Sequence, residues 1–129
     1  MVRSGLDDDE VRLVIPATPA YSRVARVAVS GIAARLGLRL SEIEDLRIAV
    51  DETLILLLRS AGAADTIALT FHIQAGRLTI DAGANAGPSG HQLDDTVRSR
   101  FEHLVGPVVD EYQLGEHGER VRLVKTLPT

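Results

Sequence analysis

Between residues 41 and 82 the hydrophobic pattern changes from a helical period to an alternating one, and that change narrows the fold more than any other feature. Ile43, Leu46, Val50, Leu54 and Leu57 recur at helical spacing, behind a capping-box signature, Ser41-Glu42-Ile43-Glu44. The helix is expected to run to about Gly62. From there the apolar residues alternate: Ile67, Leu69, Phe71 and Ile73 point one way, and Thr66, Ala68, Thr70 and His72 the other. Gln74-Ala75-Gly76-Arg77 reads as a hairpin turn, after which Leu78, Ile80 and Ala82 continue the inward face on a return strand. A one-striped helix next to a one-faced hairpin buries both apolar surfaces only by packing helix on sheet.

The flanks extend this pattern. Val11, Leu13 and Ile15 predict a first strand ending at Pro16. Thr18-Pro19 predicts a helix start, with the Thr18 hydroxyl accepting from free amides and Pro19 in the first turn. The buried face of that helix is expected to be Val24, Val27, Ala28, Gly31, Ile32 and Leu36, with Gly37 ending it and Arg23, Arg26 and Ser30 on the opposite, polar face. Gly83 to Gly90 predicts a loop. Leu93, Val97, Phe101, Leu104 and Val108 predict a third helix, ended or kinked at Pro107. Glu111–Leu114 and Arg120–Leu127 predict a closing hairpin around Gly115–Gly118. The order β-α-α-β-β-α-β-β describes an α+β two-layer sandwich, a mostly antiparallel mixed sheet with about three helices on one face.

At 129 residues this is one domain's worth of chain. Residues 1–10, with Asp7, Asp8, Asp9 and Glu10, are expected to be a mobile acidic segment, and residues 11–129 the single domain. A formal net charge of −4 argues against a binder of nucleic-acid backbone. The absence of cysteine excludes disulfides and thiolate zinc sites and suits a cytoplasmic setting. The run Leu54–Leu58 is far shorter than the roughly 20 apolar residues of a membrane span, and no signal peptide is visible. His72, His91, His103 and His117 fall on different elements, so His91 beside Asp94 and Asp95 lacks the further ligands of a metal site. Asp94-Asp95 suits a solvated helix N-terminus. No Ser/His/Asp nucleophilic arrangement can be assembled.

Several stretches resemble one family. Ala25-Arg26-Val27-Ala28-Val29, Ala34-Arg35-Leu36 and Leu46-Arg47-Ile48-Ala49-Val50-Asp51-Glu52 resemble the first half of RsbW/SpoIIAB-type anti-sigma factors of the GHKL (histidine-kinase-like ATPase) superfamily. Phe101, Leu104, Val109-Asp110-Glu111-Tyr112 and Gly118-Glu119-Arg120-Val121-Arg122-Leu123 are similar to its last helix and closing hairpin, so the likeness spans about residues 11–127. The resemblance implies the histidine-kinase-like ATPase fold, and a homodimer that the apolar patterning itself does not demand.

The resemblance also locates three nucleotide elements, and the chain departs from each. The family's second helix carries a Glu and, four residues later, a Mg²⁺-holding Asn; here these positions are Glu52 and Leu56. Leu56 has no oxygen for a hard cation. The family's Asp-x-Gly-x-Gly loop falls on Ala82, Ala84 and Ala86, with Asp81 one residue away; on an alternating strand that slip turns the Asp81 carboxylate outward unless a bulge intervenes. The lid's Gly-x-Gly becomes Arg98-Ser99-Arg100.

The expected function is therefore an anti-sigma regulatory factor working by partner switching between a sigma factor and a STAS-domain antagonist. It would have no cofactor, no catalytic residue and only a vestigial base position at Glu52. Arg23, Arg26 and Ser30 are the candidate partner-binding residues, Arg26 because the resemblance places it at the family's partner contact. One alternative is an active serine kinase that phosphorylates the antagonist with ATP and Mg²⁺, in which Arg98 and Arg100 contact phosphate. Another is an interaction module unconnected with transcription.

Overall fold

A computed structural model describes residues 8–86 and 90–128. The elements are β1 (Asp9–Pro16), α1 (Ser22–Arg35), α2 (Leu40–Ser60), β2 (Ala64–Gln74), β3 (Arg77–Ala86), α3 (Asp95–Val105), β4 (Glu111–Leu114) and β5 (Arg120–Thr126). The sheet has the order β1-β2-β3-β5-β4. Every pairing is antiparallel, so no parallel pair occurs among the described residues. This is the expected two-layer α+β sandwich. Among the described residues no helix is long and apolar enough to cross a membrane.

The core lies where the change of period predicts. Leu46, Val50, Leu54 and Leu57 of α2 pack on Ile67, Leu69 and Phe71 of β2, Leu78 and Ile80 of β3, and Val121 and Leu123 of β5. Each fully buried Leu, Ile or Phe contributes about 1.5–3 kcal/mol of hydrophobic stabilisation. Phe101 of α3 completes the layer, edge-on to Tyr112 of β4 with ring centroids 5.7 Å apart.

Several local expectations are corrected. β1 begins at Asp9, because Asp9 and Glu10 pair with Ile73 and His72; the remaining residues of the acidic run, apart from Asp8, lie outside the described chain. The strand does end at Pro16 as expected, a residue its place at the sheet edge allows. The Thr18 side chain makes no cap bond: a 3₁₀ turn over Pro19–Tyr21 intervenes, and α1 starts at Ser22. The second helix starts at Leu40, one residue before Ser41, with the Glu42 carboxylate accepting the Arg39 amide at 3.0 Å. That hydrogen bond is the main reason Glu42 lies below its ordinary pKa. β3 runs to Ala86, so residues 83–86 of the expected loop are strand, and residues 87–89 lie outside the description. The third helix covers Asp95–Val105, and Pro107 sits in the 3₁₀ turn that follows.

The largest correction concerns α1. Its buried face is Ala25, Val29 and Ala33, not the valine-rich stripe, and Val24 and Val27 are 45% and 65% exposed. Alanines at i and i+8 let the helix axis approach α2 closely, which larger side chains at those positions would prevent. Gly37 ends α1 as expected: its φ is +80°, its amide reaches the Ala34 carbonyl, and the Leu38 amide reaches the Ala33 carbonyl.

Candidate functional site

The site region lies between the C-terminal half of α2 and the first turns of α3. A cavity of about 160 Å³ there is lined by Glu52, Ile55, Leu56, Arg59, Thr96, Val97, Arg100 and Phe101. Glu52 is only 9% exposed, because α2 turns it toward α3. Leu56, one turn later, is fully buried in the core.

A buried carboxylate needs a partner, and Glu52 has one. The Arg100 guanidinium donates from Nε to Oε1 at 3.0 Å and from Nη2 to Oε2 at 3.3 Å. The hydrogen bond to Glu52 raises the Arg100 pKa, with smaller Coulombic help from Glu52 and Asp51. Arg98 donates from Nη2 to the Glu116 carbonyl at 3.0 Å. Both arginines of the Arg98-Ser99-Arg100 stretch are thus engaged within the chain.

The strand residues fall on opposite faces, as their parity predicts. Ala82 is buried on the helix side and Ala84 packs partly buried against the same core, while Ala86 ends β3 opposite Ala64. Asp81 faces the other way. Its carboxylate accepts from Arg122 Nε at 2.7 Å and lies 3.4 Å from His72 Nε2. The irregularity in the β2–β3 register lies between Ala64 and Ile67, too far along the strand to turn Asp81 inward.

The segment entering α3 is also tied down. The Gln92 amide donates to the Ser60 carbonyl at 2.8 Å, and His91 bridges Ala61. The Ser60 hydroxyl donates to the Gly118 carbonyl at 2.8 Å, and a Cβ on Gly118 would lie 2.8 Å from that of Ser60, so only glycine fits this approach. The Asp94 side chain caps α3 by accepting the Thr96 amide, which lowers its pKa, so the Asp94-Asp95 pair serves the helix start.

Of the candidate partner residues, Arg23 is exposed. Arg26 is half-buried and leans toward Asp51 of α2, its Nε 3.8 Å from Oδ1 and without a hydrogen-bond partner. The Ser30 hydroxyl donates to the Arg26 carbonyl at 2.7 Å. Arg23 and Arg26 therefore line the α1 surface beside the exposed Val24 and Val27, with Arg26 closer to α2.

Sequence reading named Glu52 and Arg100 but not their pairing, and it missed both the Arg26–Asp51 contact and a polar ladder across the sheet face opposite the helices. There, Glu10, His72, Asp81 and Arg122 follow one another over β1, β2, β3 and β5, His72 Nδ1 lying 3.4 Å from Glu10. The outward parity of His72 was a usable signal for the ladder; the helix pairs had none. Among the described residues no group of His, Asp and Glu is arranged to hold a metal.

Comparison with known proteins gives a consistent likeness. The chain is 33% identical over 118 residues to the serine-protein kinase RsbW of Listeria innocua, covering 89% of this chain and 68% of that protein. It is 31% identical over 122 residues to the RsbW of Bacillus subtilis and 34% over 124 residues to that of Bacillus pumilus, in both cases covering 92% of this chain and 74% of the relative. No protein-family model matches. In fold, the chain superposes with a TM-score of 0.68 on the crystal structure of the RsbU and RsbW domains of a Mycobacterium tuberculosis protein. The superposition is at 16% identity and covers 92% of this chain and 32% of that one.

Proposed function

This chain belongs to the RsbW family of serine-protein kinases, and on that premise we propose that it is an anti-sigma regulatory factor that works by partner switching without binding ATP. The observation that carries the second half of this reading is the cavity between α2 and α3. At about 160 Å³ it is well below the roughly 300 Å³ at which small-molecule sites begin. The residues around it do not fit a magnesium nucleotide. Leu56 presents methyl groups where an oxygen ligand is needed, Glu52 is bound on both oxygens by Arg100, and Ala82 offers no carboxylate from the strand.

The binding half of the reading rests on α1. This helix carries Arg23, Arg26 and Arg35 and no acidic residue, and it exposes Val24 and Val27, each directly after one of the first two arginines. Such a face suits a partner segment that combines apolar side chains with carboxylates. Two partners competing for it, a sigma factor and a STAS-domain antagonist, are exchanged by differences in affinity and abundance, with no bond made or broken.

The test is direct. ATP with Mg²⁺ is titrated calorimetrically into the protein, and transfer of labelled phosphate to a STAS-domain protein is followed in parallel. The expected result is no binding up to about 1 mM and no transfer. Saturable binding below that concentration with phosphate transfer would establish the kinase reading, which retention of Glu52 in a family of named kinases keeps in view. Failure to capture any sigma factor or STAS-domain protein on the immobilised chain would remove the partner-switching half.

A further inference from the structure

We propose that Arg100 is the built-in counter-charge of Glu52, a self-inhibitory latch that holds α3 on α2 and removes Glu52 from any role as a base. The inference deepens the preceding reading and rests on it: the old nucleotide position is closed by the chain's own cation.

Glu52 is the one charged side chain that is buried among the described residues. Taking a carboxylate out of water costs several kcal/mol unless a cation and good hydrogen-bond geometry compensate for it. Arg100 supplies both, because its planar fork matches the two carboxylate oxygens and occupies them together. Each oxygen already accepts one guanidinium N–H, so a hydroxyl approaching to give up its proton would compete with Arg100 for the carboxylate. Arg100 is reached from solvent, its side chain 58% exposed, while the Glu52 side chain is 11% exposed, so the guanidinium lies on the solvent side of the carboxylate. The other charged groups here are Arg59, which lines the same cavity from α2, and Asp51, whose charge also attracts Arg100. Neither is hydrogen-bonded to Glu52. The entry to α3 is fixed independently at Ser60 and Ala61, so the latch acts on a helix whose start is already anchored.

The experiment compares the melting temperature of the full chain, Arg100→Ala, and the double variant Glu52→Gln/Arg100→Ala from pH 8 to pH 5. In Arg100→Ala the buried carboxylate has lost its compensation, so keeping it charged in the folded protein costs more than in the wild type. Protonation relieves that cost, so it is largest at high pH and fades as pH falls. The expected deficit is about 5 °C at pH 8, shrinking toward pH 5, with the double variant recovering most of it and showing no extra pH dependence. An Arg100→Ala melting temperature equal to wild type, or a deficit constant with pH, would overturn the latch. If Arg100→Ala does not fold at pH 8, a folded double variant supports the latch and an unfolded one overturns it. ATP binding by the wild-type chain would instead overturn the preceding reading, so the two failures are distinguishable.

Discussion

Asp51 and Glu52 are neighbours on α2, yet each holds an arginine in a different way. Glu52 faces inward and meets Arg100 of α3 through two hydrogen bonds, whereas Asp51 faces the α1 side and meets Arg26 at 3.8 Å with no hydrogen bond. Consecutive helical residues point about 100° apart, so one step along α2 separates a closed, buried pair from a loose, half-exposed one. The closed pair has its charges and hydrogen-bonding positions matched within the chain. The loose pair leaves the Arg26 Nε buried without a hydrogen-bond partner, while the side chain as a whole stays more than a third exposed. In this molecule the buried carboxylate at Glu52 is internally satisfied, whereas the half-exposed pair at Asp51 and Arg26 is not.

The largest test of that contrast is charge reversal on the open side. Arg26→Glu is expected to lower affinity for the sigma factor or STAS-domain partner by at least about 100-fold, since a cation meeting a partner's carboxylate becomes a repelling anion. The circular dichroism spectrum is expected to stay that of the wild type, because Arg26 is half-exposed and loosely paired. Undiminished binding, measured by surface plasmon resonance, would place the partner face elsewhere and collapse the contrast.

How much of this was legible in the sequence depends on the range of the contact. Alternation along β3 already placed Ala82 inside and Asp81 outside, because parity on a strand is a local property. The face of α1 was misread for a physical reason: Val24 and Val27 outweigh Ala25 and Ala33 in hydrophobicity, but close packing on α2 selects the small residues and leaves the valines in solvent. A helix can carry two apolar stripes, and periodicity alone does not say which is buried. The Glu52–Arg100 fork joins residues 48 apart and depends on how α3 settles on α2, so no spacing in the sequence encodes it.

A smaller effect is expected inside the closed region. Leu56→Asn restores the residue type that the family resemblance places there, but it exchanges a fully buried Leu for an amide whose polar atoms have no assigned partner. The expected cost is about 3 kcal/mol, a fall of roughly 10 °C in melting temperature. No ATP binding is expected to return, because Arg100 still occupies Glu52 and Ala82 still lacks a carboxylate. Calorimetry that detected nucleotide binding in this single variant would show that Leu56 alone closes the site.

The smallest expected effect separates the two carboxylates most cleanly. Asp51→Asn removes a charge whose partner lies 3.8 Å away, with both side chains more than a third exposed. Coulomb attraction at that exposure is screened by water and salt, so stability is expected to change by no more than about 0.5 kcal/mol, and by less still in 0.5 M NaCl. The same substitution frees the Arg26 guanidinium from its internal anion, so partner affinity is expected to hold or rise modestly. A large loss of stability would mean that Arg26 is locked as firmly as Arg100. The two sides of α2 would then no longer differ in kind, and the partner contact would have to be sought at Arg23 and the exposed valines.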